Sequence, residues 1–390
     1  MTEQERINQL PEPVRTVAQK VYDKRPEDLP EEPERNKWYT YRPEGCICSN
    51  GAPYYSTLKV GTENKLMIVF CGGGVAVDAH GAARPNAFLP VEGEDTFYIG
   101  DTFVMGYVTG LLGIAKMRED NPFRNWSVLS VSYASGDFHT GIADFAYDDP
   151  EKGKGVCYHH GYTNYRAMVE KMKQLVPNPD KLLVTGYSGG GFAAALLTDD
   201  VMKLFPDCRD VTCLEDSGVF SYPGWRQTAQ EQWRTPQEIC DRLQGDNIAL
   251  DCLLALHRDH GDCVKIAFGC THRDALLAQC EGRYNGLGRL VFSKENGDKF
   301  QAMLSKTVAA LKREIPDVAL YIFDKPNPEA RIAPEYGLTE HTFINSDYVF
   351  DYSYEGVKLL DWIVDVVEGR PHQVGLSLLG LENIETEQAF

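Results

Sequence analysis

Apolar residues along this chain fall into two patterns. Short, nearly unbroken runs at Tyr54–Val60, Lys65–Cys71, Trp126–Tyr133, Arg209–Leu214, Val264–Phe268 and Val318–Phe323 are rich in β-branched and aromatic residues. Such runs predict strands, most of them covered on both faces. Between and after them, apolar positions recur every three or four residues over Tyr162–Leu175, Asp298–Arg313 and Tyr354–Val367, which predicts amphipathic helices. Strands alternating with helices predict an α/β fold with a mostly parallel sheet covered by helices on both faces. The first residues read differently: a short helix over Val14–Lys24, then an extended arm punctuated by Pro26, Pro30 and Pro33. The expected organisation is an N-terminal arm (1–37), a single α/β domain (38–370) with insertions at about 81–125 and 220–262, and a tail (371–390). The aromatic, glycine-containing 81–125 insertion fits a lid or substrate wall.

One strand-to-helix junction carries chemistry. The run Lys181-Leu-Leu-Val-Thr enters Gly186-Tyr187-Ser188-Gly189-Gly190, and an Ala/Leu-rich helix leaves it. A G-x-S-x-G element in this setting is a nucleophile elbow: Ser188 sits at the apex of a tight turn, its hydroxyl held clear of the sheet. Gly186 and Gly190 lack Cβ atoms, so strand and helix pass close together. The N–H of Gly189, at the positive end of the helix, suits a developing oxyanion.

A serine nucleophile needs a base, a group that orients the base, and oxyanion donors. In this fold the order along the chain is serine, acid, histidine, with each group in a loop after a strand. His341, in Glu335-Tyr-Gly-Leu-Thr-Glu-His-Thr-Phe between the last predicted strand and the last helix, is the expected base; His272 and His372 are the alternatives. Asp274, just after Val264–Phe268, is the expected orienter, ahead of Glu340 and Asp347. Its competing role is to cap the helix starting at Ala275. Gly72-Gly73-Gly74-Val75, following an early strand, offers backbone N–H groups to an oxyanion; with the elbow, the expected donors are Gly74, Val75 and Gly189. A phosphate-cradling role for this loop lacks the following Gly-Lys-Ser/Thr.

Composition narrows the partners. A net charge of −18 over 390 residues argues against a nucleic-acid partner, which would want a basic face. The eleven cysteines are scattered, without paired C-x-x-C spacing, which predicts neither a disulfide framework nor a zinc ribbon. A metal or redox site built from Cys46, Cys48, Cys157, His159 and His160 is the minor alternative, and no cofactor is expected. Met1-Thr-Glu-Gln-Glu-Arg has neither a basic nor an apolar leader, and no apolar run is long enough to span a bilayer, so the expectation is a cytoplasmic protein without a membrane partner. Arg84, Arg124 and Arg273 are candidates for a local basic patch, and the aromatics at 97–107 and 222–233 for sugar-stacking surfaces.

Several segments resemble one family, the pectin acetylesterases and related Notum carboxylesterases. Ile68-Val-Phe-Cys-Gly-Gly-Gly-Val is similar to its Gly-Gly-Gly-Trp loop, and Val131-Ser-Tyr-Ala-Ser-Gly-Asp-Phe-His-Thr-Gly141 to its Gly-Asp-x-His segment. Gly186-Tyr-Ser-Gly-Gly-Gly resembles its elbow, and Glu215-Asp-Ser-Gly218 its acidic turn. Glu340-His-Thr-Phe and Gly356-Val-Lys-Leu-Leu-Asp-Trp-Ile resemble the histidine loop and closing helix of the bacterial branch. The segments occur in family order from about Trp38 to Gly369. The resemblance implies an α/β-hydrolase removing acetyl or other acyl esters from carbohydrate or protein, with Ser188, His341 and Asp274 catalytic; the strong negative charge, a poor match for polygalacturonate, favours acetylated oligosaccharides generally over pectin. It further implies that Gly73, Asp137, His139 and Tyr187 shape the substrate side. Val75 and Ala76 replace the family's tryptophan and cysteine, Gly189 its alanine and Ala134 a second cysteine, so the disulfides of secreted members are expected to be absent. The rival readings are a non-catalytic binding protein on the same fold and a deacylase of a non-carbohydrate ester.

Overall fold

A computed structural model describes residues 2–86, 95–287, 290–329 and 332–382. Its centre is a nine-stranded sheet. In chain order the strands are β1 (Trp38–Tyr41), β2 (Ser56–Lys59), β3 (Lys65–Phe70), β4 (Ser127–Val131), β5 (Lys181–Tyr187), β6 (Val211–Asp216), β7 (Val264–Thr271), β8 (Ala319–Phe323) and β9 (Gln373–Val374). Their order across the sheet is β1-β2-β4-β3-β5-β6-β7-β8-β9. β1, β2 and β4 pair antiparallel, and every pairing from β4 through β3 to β9 is parallel. The mostly parallel α/β-hydrolase-like sheet expected from the apolar runs is therefore present.

The runs lack polar alternation because both faces are covered. Leu66, Ile68 and Phe70 of β3 face one core, with Met168, Phe192, Leu253 and Leu304 from helices α3 (Gly161–Leu175), α4 (Gly189–Leu204), α5 (Ile248–His260) and α7 (Lys294–Glu314). Met67 and Val69 face the opposite core, with Trp362 and Ile363 of α8 (Leu359–Val367). Helix α6 (Ala275–Gly282) follows β7 directly. Among the described residues no helix is long and apolar enough to cross a membrane.

Four features differ from the sequence reading. The N-terminal arm forms two helices, α1 (Glu3–Asn8) and α2 (Glu12–Asp23). Ala143–Asp149 and Gly153–His159 form an antiparallel hairpin that the sequence reading did not include, although alternate residues of its first strand are exposed. The closing helix starts only at Leu359, because Glu355 and Gly356, at φ 48° and 80°, turn the chain between the strand pair Ser353–Tyr354 and Val357–Lys358. Residues read as a tail supply β9, paired with Leu320 and Tyr321, while 383–390 lie outside the described residues. The 81–125 insertion, whose residues 87–94 also lie outside them, packs Phe97, Tyr98, Phe103, Tyr107 and Ile114 inward, as a wall.

Candidate active site

Ser188 stands between β5 and α4 at φ 55°, ψ −125°, a backbone state that side chains with a Cβ rarely adopt. Backbone crowding imposes that state. A Cβ on Gly190 would lie 1.9 Å from the Phe70 carbonyl oxygen, and one on Gly186 2.0 Å from that of Gly190. The elbow is also tied to the end of β6, where the Asp216 carbonyl accepts the Ser188 N–H at 2.9 Å.

His341 and Asp274, separated by 67 residues, meet through His341 Nδ1 and Asp274 Oδ2 at 2.7 Å. Asp274 is fully buried and also caps α6, its Oδ1 accepting the N–H groups of Leu276 and Leu277 at 3.0 Å. Both roles that the sequence offered for this carboxylate are filled, one by each oxygen. A carboxylate on Nδ1 holds the proton on that nitrogen, leaving Nε2 as the basic lone pair. Burial pulls the His341 imidazole towards its neutral form, but Asp274, helped by Asp216 and Glu340, outweighs burial and raises its pKa above the ordinary value.

The histidine loop has a second anchor. Asp216 Oδ2 accepts the N–H groups of Phe343 at 2.7 Å and Ile344 at 2.9 Å. Thr342 between them and His341 has φ 64°, so the loop reverses sharply just after the imidazole. Burial pushes Asp216 up to about 7 and its neighbour Glu215 up to about 8, with the backbone donors opposing the rise. Glu215 closes the same turn through Gly218 N–H at 2.8 Å. The resemblance flagged this acidic turn without a role; its role is to brace the histidine loop and the elbow together.

Ser188 and His341 border one cavity of about 300 Å³ with the Gly72–Gly74 loop, Tyr187, Ile99 and Leu276. The loop abuts the elbow: a Cβ on Gly72 would lie 2.7 Å from Ser188 Cβ, and one on Gly189 3.4 Å from Gly73 N. Gly74, at φ 76°, bridges to Tyr98, with Val75 N–H donating to Phe97 O at 2.8 Å and Gly73 O accepting Ile99 N–H at 2.7 Å. The Val75 N–H is thus consumed by that bridge, which corrects its assignment to the oxyanion hole. In an antiparallel bridge of this type Gly74's own N–H points away from its partner strand. Gly74 and Gly189 remain the candidate donors, with Gly73 beside them.

The pectinacetylesterase family model matches residues 40–263, more than half of the chain. The chain belongs to that family. Among curated proteins it is similar to pectin acetylesterase 7 of Arabidopsis thaliana, 28% identical over 181 residues, and to pectin acetylesterase 11 of the same plant, 26% identical over 183. Each alignment covers 45% of this chain and only 43% of the relative. The match includes the Gly72–Gly74 loop, the elbow and the acidic turn; Asp274 and His341 lie beyond it, and they are associated with Ser188 by the cavity that His341 and Ser188 share and by the His341–Asp274 contact.

Two further residues expected on the substrate side do other work in this family member. Asp137 is fully buried and does not border the cavity; it accepts Ser135 Oγ and the N–H groups of His139, Gly141 and Gly161 at 2.6–3.1 Å. His139 donates from Nε2 to the Cys71 carbonyl at 2.9 Å, and burial lowers its pKa to about 4, so it is neutral. The pair braces the strand end from which the glycine loop departs. Tyr187 and Gly73 do border the cavity.

The proposed basic patch does not form. Arg84 pairs with Asp149 and Glu151, Arg273 pairs with Asp298, and neither they nor Arg124 border the cavity. Trp225 and Trp233 are fully buried, packed with Phe138 behind α4, so these aromatics are core. His272 lies 4.0 Å from Asp324, and His372 pairs with Asp365; neither borders the cavity. Asp347 pairs with Lys116. None of the eleven cysteines forms a disulfide, and among the described residues no three His, Cys, Asp or Glu side chains gather as a metal would need.

Proposed function

We propose that this protein is a serine carboxylester hydrolase that removes acetyl groups from carbohydrate. The observation that carries the reading is the His341–Asp274 contact beside a serine held in a strained elbow, with both Ser188 and His341 on one cavity. In this mechanism His341 Nε2 takes the Ser188 proton as Oγ attacks the acetyl carbonyl. Negative charge develops on the carbonyl oxygen beside the N–H groups of Gly74 and Gly189. The imidazolium, stabilised by Asp274, protonates the departing sugar oxygen. Water, deprotonated by His341, then attacks the acetyl-serine and releases acetate. Family membership and the two pectin acetylesterases support the acetyl-sugar class, and a small cavity supports a short acyl group. The test is acetate release from O-acetylated oligosaccharides, run beside p-nitrophenyl acetate, butyrate and octanoate. Acetate esters should be turned over fastest, and a preference for octanoate would contradict the reading.

The pH profile has a defined sign. Only neutral His341 accepts the proton, and its raised pKa places the acid limb above the ordinary histidine value of about 6.5. Asp216→Asn keeps an acceptor for Phe343 and Ile344 but removes a carboxyl that, pushed up to about 7, is ionised over part of this range and then favours the imidazolium, so the limb should move modestly to lower pH with kcat largely kept. Asp216→Ala removes the acceptor as well and should cost on the order of 10²-fold in kcat by loosening the loop. Coincident pH profiles for wild type and Asp216→Asn would contradict this role.

A further inference from the structure

The cavity at Ser188 adjoins another. Asn86 and Ile99 border both it and a larger cavity of about 590 Å³, whose lining joins Arg6 and Gln9 of the N-terminal segment to Asn50, Asp101 and Phe103. The segment is firmly seated. Ile7 is fully buried, and the Tyr55 and Tyr107 hydroxyls both donate to the Glu3 carboxylate. Arg6 pairs with Asp101 at 2.6 Å and covers the Phe103 ring at 4.0 Å. A capping box between Thr2 and Glu5 starts the helix. The family match begins only at residue 40, so the residues that the N-terminal segment contributes lie outside the matched region, whereas the rest of the lining lies inside it.

The lining has a definite chemistry. Gln9, Asn50 and Asn86 carry amides; Asn50 already donates to Asp101 and accepts Ala52 N–H, and Asn86 accepts Thr96 Oγ1, but each amide has a further N–H and lone pair that suit hydroxyl groups. Leu10, Ile99 and Met105 supply apolar surface of the kind the C–H face of a sugar ring covers. Arg6 is matched by Asp101, so no unpaired cation selects a polyanion, and the amides disfavour a fatty chain.

We infer that this second cavity binds the sugar residues adjoining the acetylated one, and that the segment Arg6–Leu10, from α1 into its C-terminal cap, is a substrate-binding element. The inference rests on the carbohydrate-ester reading above. It is tested with kcat/KM, measured by acetate release, for O-acetylated xylo-oligosaccharides and oligogalacturonides of increasing length, with p-nitrophenyl acetate alongside. Wild type, Arg6→Ala and Gln9→Trp are compared; Gln9 is exposed, so tryptophan there fills the cavity without burdening the core. In the wild type kcat/KM should rise roughly tenfold from a single sugar to a trimer, chiefly through KM. Both variants should lose most of that gain relative to p-nitrophenyl acetate. A flat length dependence in the wild type, or the full gain kept in both variants, overturns the inference and leaves the esterase reading standing. Cleavage of p-nitrophenyl acetate with no release from any sugar overturns the carbohydrate reading and this inference with it.

Discussion

Ser188→Ala is expected to lower kcat for p-nitrophenyl acetate by roughly 10⁴-fold or more, about 5 kcal/mol of transition-state stabilisation. The whole effect belongs to chemistry. Ser188 makes its scaffold contact through the backbone, N–H to the Asp216 carbonyl, and an alanine at φ 55° keeps that bond. The melting temperature should therefore stay close to that of the wild type. Ser188→Gly separates strain from catalysis. A residue with a Cβ in this region carries about 1–3 kcal/mol of strain, which glycine relieves. That variant should be inactive and melt no lower than Ser188→Ala. Steady-state kinetics and thermal denaturation of both variants check this, and turnover within tenfold of wild type in either would remove Ser188 from the mechanism.

Asp274→Asn should be nearly as damaging, at roughly 10³–10⁴-fold in kcat. The reason is local. The N–H groups of Leu276 and Leu277 require an acceptor, so the asparagine oxygen turns to the helix and its NH₂ faces His341 Nδ1. An NH₂ donor on Nδ1 moves the imidazole proton to Nε2, where it blocks transfer from Ser188. The cap on α6 is retained, so stability should change little. Asp274→Ala loses the cap as well, at about 1 kcal/mol or more, and should be both inactive and less stable. Kinetics paired with denaturation distinguish the two variants. Equal stability losses in both would contradict the division of labour between the two carboxylate oxygens.

The elbow was legible because its glycines answer a local need: a Cβ at 186 would strike the Gly190 carbonyl at the start of α4, and one at 190 the Phe70 carbonyl at the end of β3. His341 and Asp274 were legible from topology, since loops after late strands of a parallel sheet converge beside the elbow. Val75 was not. Its N–H is turned into a bridge with Phe97, a pairing about twenty residues away in a segment without strand periodicity. Asp137 and His139 misled for a different reason. Polar residues in a glycine-rich segment resemble site residues, yet these satisfy loop N–H and carbonyl groups left over by positive-φ turns at Gly136, Phe138 and His139. Which backbone groups lack partners is decided by tertiary structure. Asp216 escaped for the same reason, because its partners, Phe343 and Ile344, lie 127 and 128 residues further on.

The most direct test of the central claim is to treat the protein with a fluorophosphonate and locate the adduct by peptide mass spectrometry. The account predicts one adduct per chain, on Ser188, with esterase activity lost in proportion to labelling and labelling slowed in Asp274→Asn. Esterase activity that persists in an unlabelled protein, or an adduct confined to another residue, would contradict it.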